Sequence, residues 1–169
     1  MKTIATSELL LEPLTVAHAE AMFGILSDPD LYRYLDYGPP PSVEHVRDIY
    51  SRLERRQSPD GKQRWLNWVV RGKGLDLLGY VQATLLEPDI AWIAFVFGRT
   101  HWGHGYASAA TKAMIEHLEL ACGSRRFLAM VEAENARSIS VLTRLSFRLA
   151  TSEEAKPHDL TATEQLYMR

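Results

Sequence analysis

The chain has 169 residues and a formal net charge of -2 at pH 7, with an isoelectric point near 6.3. That is enough chain for one domain with a proper core, and the charge balance is too even for a surface that binds nucleic acid or an anionic membrane. The single cysteine, Cys122, excludes a disulfide framework and reads as a buried thiol in a reducing compartment; the opening "MKTIATSELLLEPL", interrupted by Glu8 and Glu12, predicts neither leader nor membrane span, so the expected location is the cytoplasm.

In chain order, residues 7–14 begin as a strand, and Thr15 caps a first helix whose apolar stripe is Ala19, Met22, Phe23 and Leu26. Pro29 ends it. The proline-rich loop "DYGPPPS" leads to a second helix, with Ser42 as cap and Val43, Val46, Ile49, Tyr50 and Leu53 at helical spacing. The polar stretch "RRQSPDGKQR" closes that helix. Strands follow at residues 65–71, 77–86 and 90–97, joined by the turn signals "GKGLD" and "EPD", and such short connections make an antiparallel meander. The third, "IAWIAFVF", is apolar on both faces and is expected to be central and covered on both sides.

The next helix carries Ala107, Ala110, Met114, Leu118 and Ala121 on one stripe and stops at Gly123, a left-handed cap. After it come the strand "RFLAMVEAE", a helix starting at Asn135 with Val141, Leu142 and Leu145 inward, and strands near residues 147–152 and 161–168. With no repeat or linker, residues 1–169 form a single domain. The element order β-α-α-β-β-β-α-β-α-β-β predicts an α/β (α+β) fold around a mixed, largely antiparallel sheet.

Between the meander and the third helix lies "FVFGRTHWGHGYASAATKAM". A helix N-terminus offers unpaired N–H groups and a positive dipole end, so glycines before it suit a phosphate or pyrophosphate; equally, Gly103 and Gly105 can simply turn the chain. A dinucleotide fingerprint fits poorly, because Ser108 occupies the third glycine, and a P-loop is excluded by the missing Gly-Lys-Ser/Thr. The pair is joined downstream by "ENARSISVLTRLSF", residues 134–147.

Together, Trp102-Gly103-His104-Gly105-Tyr106-Ala107 and the helix bearing Asn135, Ser138, Leu142 and Phe147 resemble the GCN5-related N-acetyltransferase (GNAT) superfamily. The "WGHGYA" form, the loop "DLYRYLDYGPPPS" and "NARSISVLTRLSF" look like its branch of ribosomal-protein N-terminal acetyltransferases. The resemblance implies helices on both faces of the sheet and a splayed strand pair holding acetyl-CoA. It implies pyrophosphate binding by main-chain N–H groups of Gly103, His104, Gly105, Tyr106, Ala107 and Ser108. It gives Phe95 and Phe97 main-chain contacts to the pantetheine, with the Phe97 N–H as oxyanion donor. Asn135 would contact the pantetheine arm or serve as a helix N-cap, or both.

The sequence departs from the family's acid–base pattern: Leu142 stands where protein-acetylating members often place a tyrosine, and Met130 where some place a glutamate. Trp102 replaces the usual Gln or Arg, and Ser146 the usual glycine. Ser138 is then the remaining candidate acid, or else a small polar residue at a helix start. Glu132, Glu134, Glu87, Asp89, His101 and His104 lie nearby without singling out a base. An α-amine, with a pKa of about 7.7–8.0, is partly neutral at pH 7 and can react through positioning alone. Tyr32, Tyr34 and Tyr37 either shape the acceptor mouth or pack on the sheet. The expected activity is direct acetyl transfer to an amine, a protein N-terminus or a small molecule, by a monomer or homodimer that needs no metal. The alternative is a non-catalytic acyl-CoA sensor.

Overall fold

In the computed structural model, which describes residues 1–87 and 89–169, a hairpin opens the chain with β1 (Ile4–Ala5) and β2 (Leu10–Pro13). The Thr6 hydroxyl accepts from the Leu9 N–H at 2.8 Å and turns the chain between them. Ser7 therefore belongs to a turn, and the expected strand begins later, with a partner that its sequence did not announce. Thr15 starts a 3-10 turn, Val16–His18, before α1 (Ala19–Leu26). His18 Nδ1 accepts from the Thr15 N–H at 3.1 Å, which tightens that first turn. Pro29 does end α1, and a second 3-10 turn, Pro29–Tyr32, follows. α2 (Val43–Leu53) starts as expected, the Ser42 hydroxyl accepting from the His45 N–H at 3.2 Å.

β3 (Arg64–Arg71), β4 (Leu77–Glu87) and β5 (Ile90–Phe97) form the antiparallel meander. Pro88 of the "EPD" turn lies outside the described residues. Then come α3 (Tyr106–Cys122), β6 (Arg126–Glu132), α4 (Ala136–Arg144), β7 (Arg148–Leu149), α5 (Ser152–Ala155) and β8 (Glu164–Met168). The strand expected at 147–152 is shorter because Thr151 caps α5. Glu154 accepts from the Thr151 N–H at 2.8 Å, a capping box already present in "TSEE". Arg148 clasps the same carboxylate at 2.6 Å and holds it down at about 2.

The eight strands form one sheet in the order β1-β2-β3-β4-β5-β6-β8-β7, antiparallel except for β5 against β6. Helices cover both faces. Under α3 and α4 lies the main core, including Trp68, Met114, Phe127 and Leu142; α1 and α2 close a smaller core around Met22, Val46 and Val69. β3 is buried on both faces from Leu66 to Val70, but β5 is not: Ala94 is exposed and Phe95 and Val96 are half-buried. Its second apolar face lines open space, as described below. Ala121 is exposed rather than part of the α3 stripe, and Cys122 is half-buried rather than fully enclosed. Among the described residues no helix is long and apolar enough to cross a membrane.

Candidate active site

Parallel strands five and six pair only from Ile90↔Arg126 to Trp92↔Leu128. Beyond that seam β5 runs on beside β4 as far as Phe97, whereas β6 runs on beside β8 to Glu132. The two strands diverge, and the gap is a cleft of about 760 Å³ lined by both, by the glycine turn and by α4. Backbone groups of a sheet strand seek partners, so a splayed edge inside the molecule is a place for a ligand with amide groups. Phe95 and Phe97 lie on that edge of the cleft.

Gly103 and Gly105 have φ of +81° and +80°, the left-handed region that side chains disfavour. A Cβ at either would meet no protein atom within 4 Å, and both residues line the cleft. Their requirement is thus conformational, and added side chain would occupy ligand space. Gly105 is the N-cap of α3 and supplies no side-chain acceptor, so the N–H groups of the first turn, Tyr106 to Ser108, remain available beside the cleft. The Ser108 hydroxyl there is buried without a hydrogen-bond partner. Such an orphan at a helix N-terminus fits a phosphate oxygen.

Two side chains not assigned a role in the sequence complete this turn. Trp102 donates its indole N–H to the Phe97 carbonyl at 2.8 Å, and the Arg137 guanidinium lies 4.2 Å from the Trp102 ring centroid. The indole thus links the end of β5, the glycine turn and the first turn of α4. Arg137 brings a positive charge to the cleft lining; a cation one position before Ser138 was the signal available in the sequence. His104, expected to contribute a main-chain N–H, has its ring exposed and stacked on Tyr106 at 5.7 Å, outside the cleft lining. The turn points its ring outward. His101 lines the cleft instead.

On the opposite wall, Asn135 caps α4, its Oδ1 accepting from the Ser138 N–H at 3.1 Å. Its amide NH₂ is left over, so capping does not exclude a ligand contact. Ser138 is half-buried and lines the cleft, as does Met130, 46% exposed. Leu142 is buried in the core with one edge at the cleft. The carboxylates lining the cleft are Asp30, Glu132 and Glu164. Asp30 is paired with Arg99 at 3.1 Å, and Glu164 accepts from the Thr161 N–H at 2.9 Å. Asp89 is engaged by Arg126 at the far end of β5, Glu134 is outside the lining, and the side chain of Glu87 is not among those described.

A second cavity of about 290 Å³ opens from the first and runs between the sheet and α2. The two share Leu31, Leu35, Tyr37, Tyr80, Gln82 and Val96 in their walls. Tyr32 and Tyr37 line it, their rings 5.7 Å apart edge to face. The Tyr32 hydroxyl donates to the Leu26 carbonyl at 2.8 Å, so this residue also braces the loop. Tyr34 lies in the wall of the larger cleft, under the Arg33 guanidinium at 5.6 Å. Burial pushes the Tyr32 phenol up to about 12, and it raises Tyr37, Tyr50 and Tyr80 as well. All four therefore stay neutral at physiological pH, as hydrogen-bonding rather than charged walls.

The acetyltransferase (GNAT) domain family matches residues 8–148, which holds the splay, the glycine turn and the asparagine helix. The chain belongs to the GNAT acetyltransferase family. This GNAT domain is thereby an acetyl-CoA-dependent acyltransferase. It is 28% identical over 150 residues to the uncharacterized N-acetyltransferase p20 of Bacillus licheniformis, across 88% of this chain and 83% of that protein. Its fold matches that of a GNAT-family acetyltransferase from Bacillus anthracis with a TM-score of 0.78 at 22% identity, covering 99% of this chain and 98% of that one. RimL, the ribosomal L7/L12 alpha-N-protein acetyltransferase in complex with coenzyme A, matches with a TM-score of 0.80 at 20% identity, covering 99% and 97%. This chain shares its fold with both solved structures.

Proposed function

We propose that this GNAT domain carries an acetyl group from acetyl-CoA to an amine by direct attack, with both substrates bound together. The observation that supports this most is the continuity of the two cavities: one fits an extended cofactor and the other an acceptor, and they meet at Val96 and Gln82, beside Phe95 and Phe97. No relay through the enzyme is required. The chain's cysteine, Cys122, lies at the opposite end of α3 from the glycine turn.

Acetyl-CoA supplies an activated acetyl thioester. In this reading the α3 N-terminus, with Gly103 to Ser108, holds its pyrophosphate, and Asn135 reaches the pantetheine arm. The Phe97 N–H donates to the acetyl oxygen as charge develops there, and Trp102 fixes that peptide by binding its neighbouring carbonyl. Ser138 donates toward the departing sulfur. With Met130 and Leu142 in place of an acid–base pair, the amine arrives neutral and positioning provides most of the rate. Protein N-termini and small amines are both acceptors of this chemistry, and no step needs a metal.

Initial-rate kinetics at varied acetyl-CoA and amine test the reading, because intersecting reciprocal lines are expected. Parallel lines would mean an acetylated enzyme and overturn it. Calorimetry with coenzyme A in the presence of a chelator should show binding; silence at millimolar ligand would remove the cofactor assignment itself.

A further inference from the structure

The smaller cavity is specific in what its wall contains and in what it lacks. Its surface is mostly apolar and aromatic, and among the described residues it holds no carboxylate, lysine or arginine; His45 is the one titratable side chain besides tyrosines. Asn67, 5% exposed, is the buried amide side chain of its wall. Asn67 is the register partner of Gln82 across β3 and β4, and Gln82 in turn is opposite Ala94 on β5. This row leads from the bottom of the chamber to the edge of the cleft. The Tyr50 hydroxyl, in the same wall, is buried without a partner. Buried polar groups are normally satisfied, so the unpartnered Tyr50 phenol, in one chamber with the Asn67 amide, points to a ligand that brings its own polar group.

Resting on the acetyl-transfer reading above, we infer that the acceptor is a compact aromatic monoamine with a hydroxyl at its far end. The amine stands at Gln82 and Val96, next to the cleft, and the ring fills the apolar chamber. The hydroxyl meets Asn67 and the Tyr50 phenol. A volume of 290 Å³ suits a body on the order of ten non-hydrogen atoms, counting each at a water's share of about 30 Å³. A polyamine is disfavoured because its second ammonium would be desolvated with no carboxylate to meet it, and a free amino acid because its carboxylate would meet no cation. A site built to bind a hydroxyl discriminates strongly against the analogue that lacks it.

The test uses the full chain with acetyl-CoA and five probes: tyramine, 2-phenylethylamine, phenylalanine, spermidine, and a short peptide with a free N-terminal serine. Tyramine should have the highest kcat/KM, about tenfold or more above 2-phenylethylamine. In Asn67→Leu that ratio should collapse toward one, and Tyr50→Phe should reduce it in the same direction. Calorimetry of tyramine against the coenzyme A-loaded protein gives a readout independent of turnover and should lose the same discrimination in both variants. Coenzyme A binding, measured alongside, reports that each variant is folded. Faster turnover of spermidine, phenylalanine or the peptide overturns the inference, as does an unchanged ratio in Asn67→Leu. If coenzyme A binds but none of the five is acetylated, the acceptor assignment fails while the cofactor site stands. If coenzyme A itself does not bind, the underlying reading fails and takes this inference with it.

Discussion

Trp102 holds the glycine turn with both of its chemical faces, an N–H bonded to the Phe97 carbonyl and a ring under Arg137. Trp102→Phe keeps a weaker cation–π contact and loses the hydrogen bond, whereas Trp102→Ala loses both. Coenzyme A affinity should fall stepwise across the pair, by about tenfold for the first and more for the second, as calorimetry would read. Gly105→Val puts a branched side chain at φ +80° and into ligand space, so it should weaken coenzyme A binding steeply and cost roughly 1–2 kcal/mol of stability. A folded variant with parental affinity would refute the cradle. Ser138→Ala should lower kcat by about 10²-fold with little change in coenzyme affinity if the hydroxyl donates to the sulfur, and unchanged kcat would leave water as the proton source. The left-handed glycines and the Asn135 cap were legible because backbone conformation and capping follow from residue type and spacing. Trp102 and Arg137 were not, since a contact between a turn and a helix two elements later has no periodicity. The outward direction of the His104 ring was not legible for the same reason, although the contact expected of that residue is a main-chain one.

At the level of strands and helices, Gly79 marks a place where two strands leave no room for a side chain. A Cβ there would overlap the Val96 carbonyl oxygen and stand 2.7 Å from the Phe97 Cα. This glycine lets β4 press against the end of β5, where the acetyl oxygen's donor is assigned. Gly79→Ala should therefore destabilise the fold by about 1–3 kcal/mol in urea titration, and should lower kcat more than coenzyme affinity by moving the Phe97 peptide. Unchanged stability would show that the strands separate freely. The meander, α2 and α3 were read within a residue or two, because alternation, an N-cap serine and a left-handed Gly123 are local signals. β1 and α5 were missed: the two-residue β1 depends on its partner, and α5 on a capping box that a strand-like context concealed. The apolar second face of β5 was seen but attributed to burial, since sequence cannot distinguish a face covered by protein from one reserved for a ligand.

For the molecule as a whole, acetyl-CoA or coenzyme A should raise the midpoint of thermal unfolding. At about 100 times Kd the gain is roughly 2.7 kcal/mol, or roughly 5–10 °C for a chain of this size; no shift would contradict a site formed by the fold. The location of that gain follows from the seam between β5 and β6, whose register spans Ile90 to Trp92 on one side and Arg126 to Leu128 on the other. Past it, the sheet's two halves share no ladder, and in the proposed reading the donor molecule is the mortar between them. Amide hydrogens on the gap side of the two strands, those of Phe95 and Phe97 on β5 and of Met130 and Glu132 on β6, should accordingly exchange fast in the empty protein and slowly in the loaded one, while their neighbours bonded to β4 and β8 stay protected in both. An enzyme assembled this way should also be easier for proteases to open along this line when its donor is withheld, which limited proteolysis with and without acetyl-CoA would read.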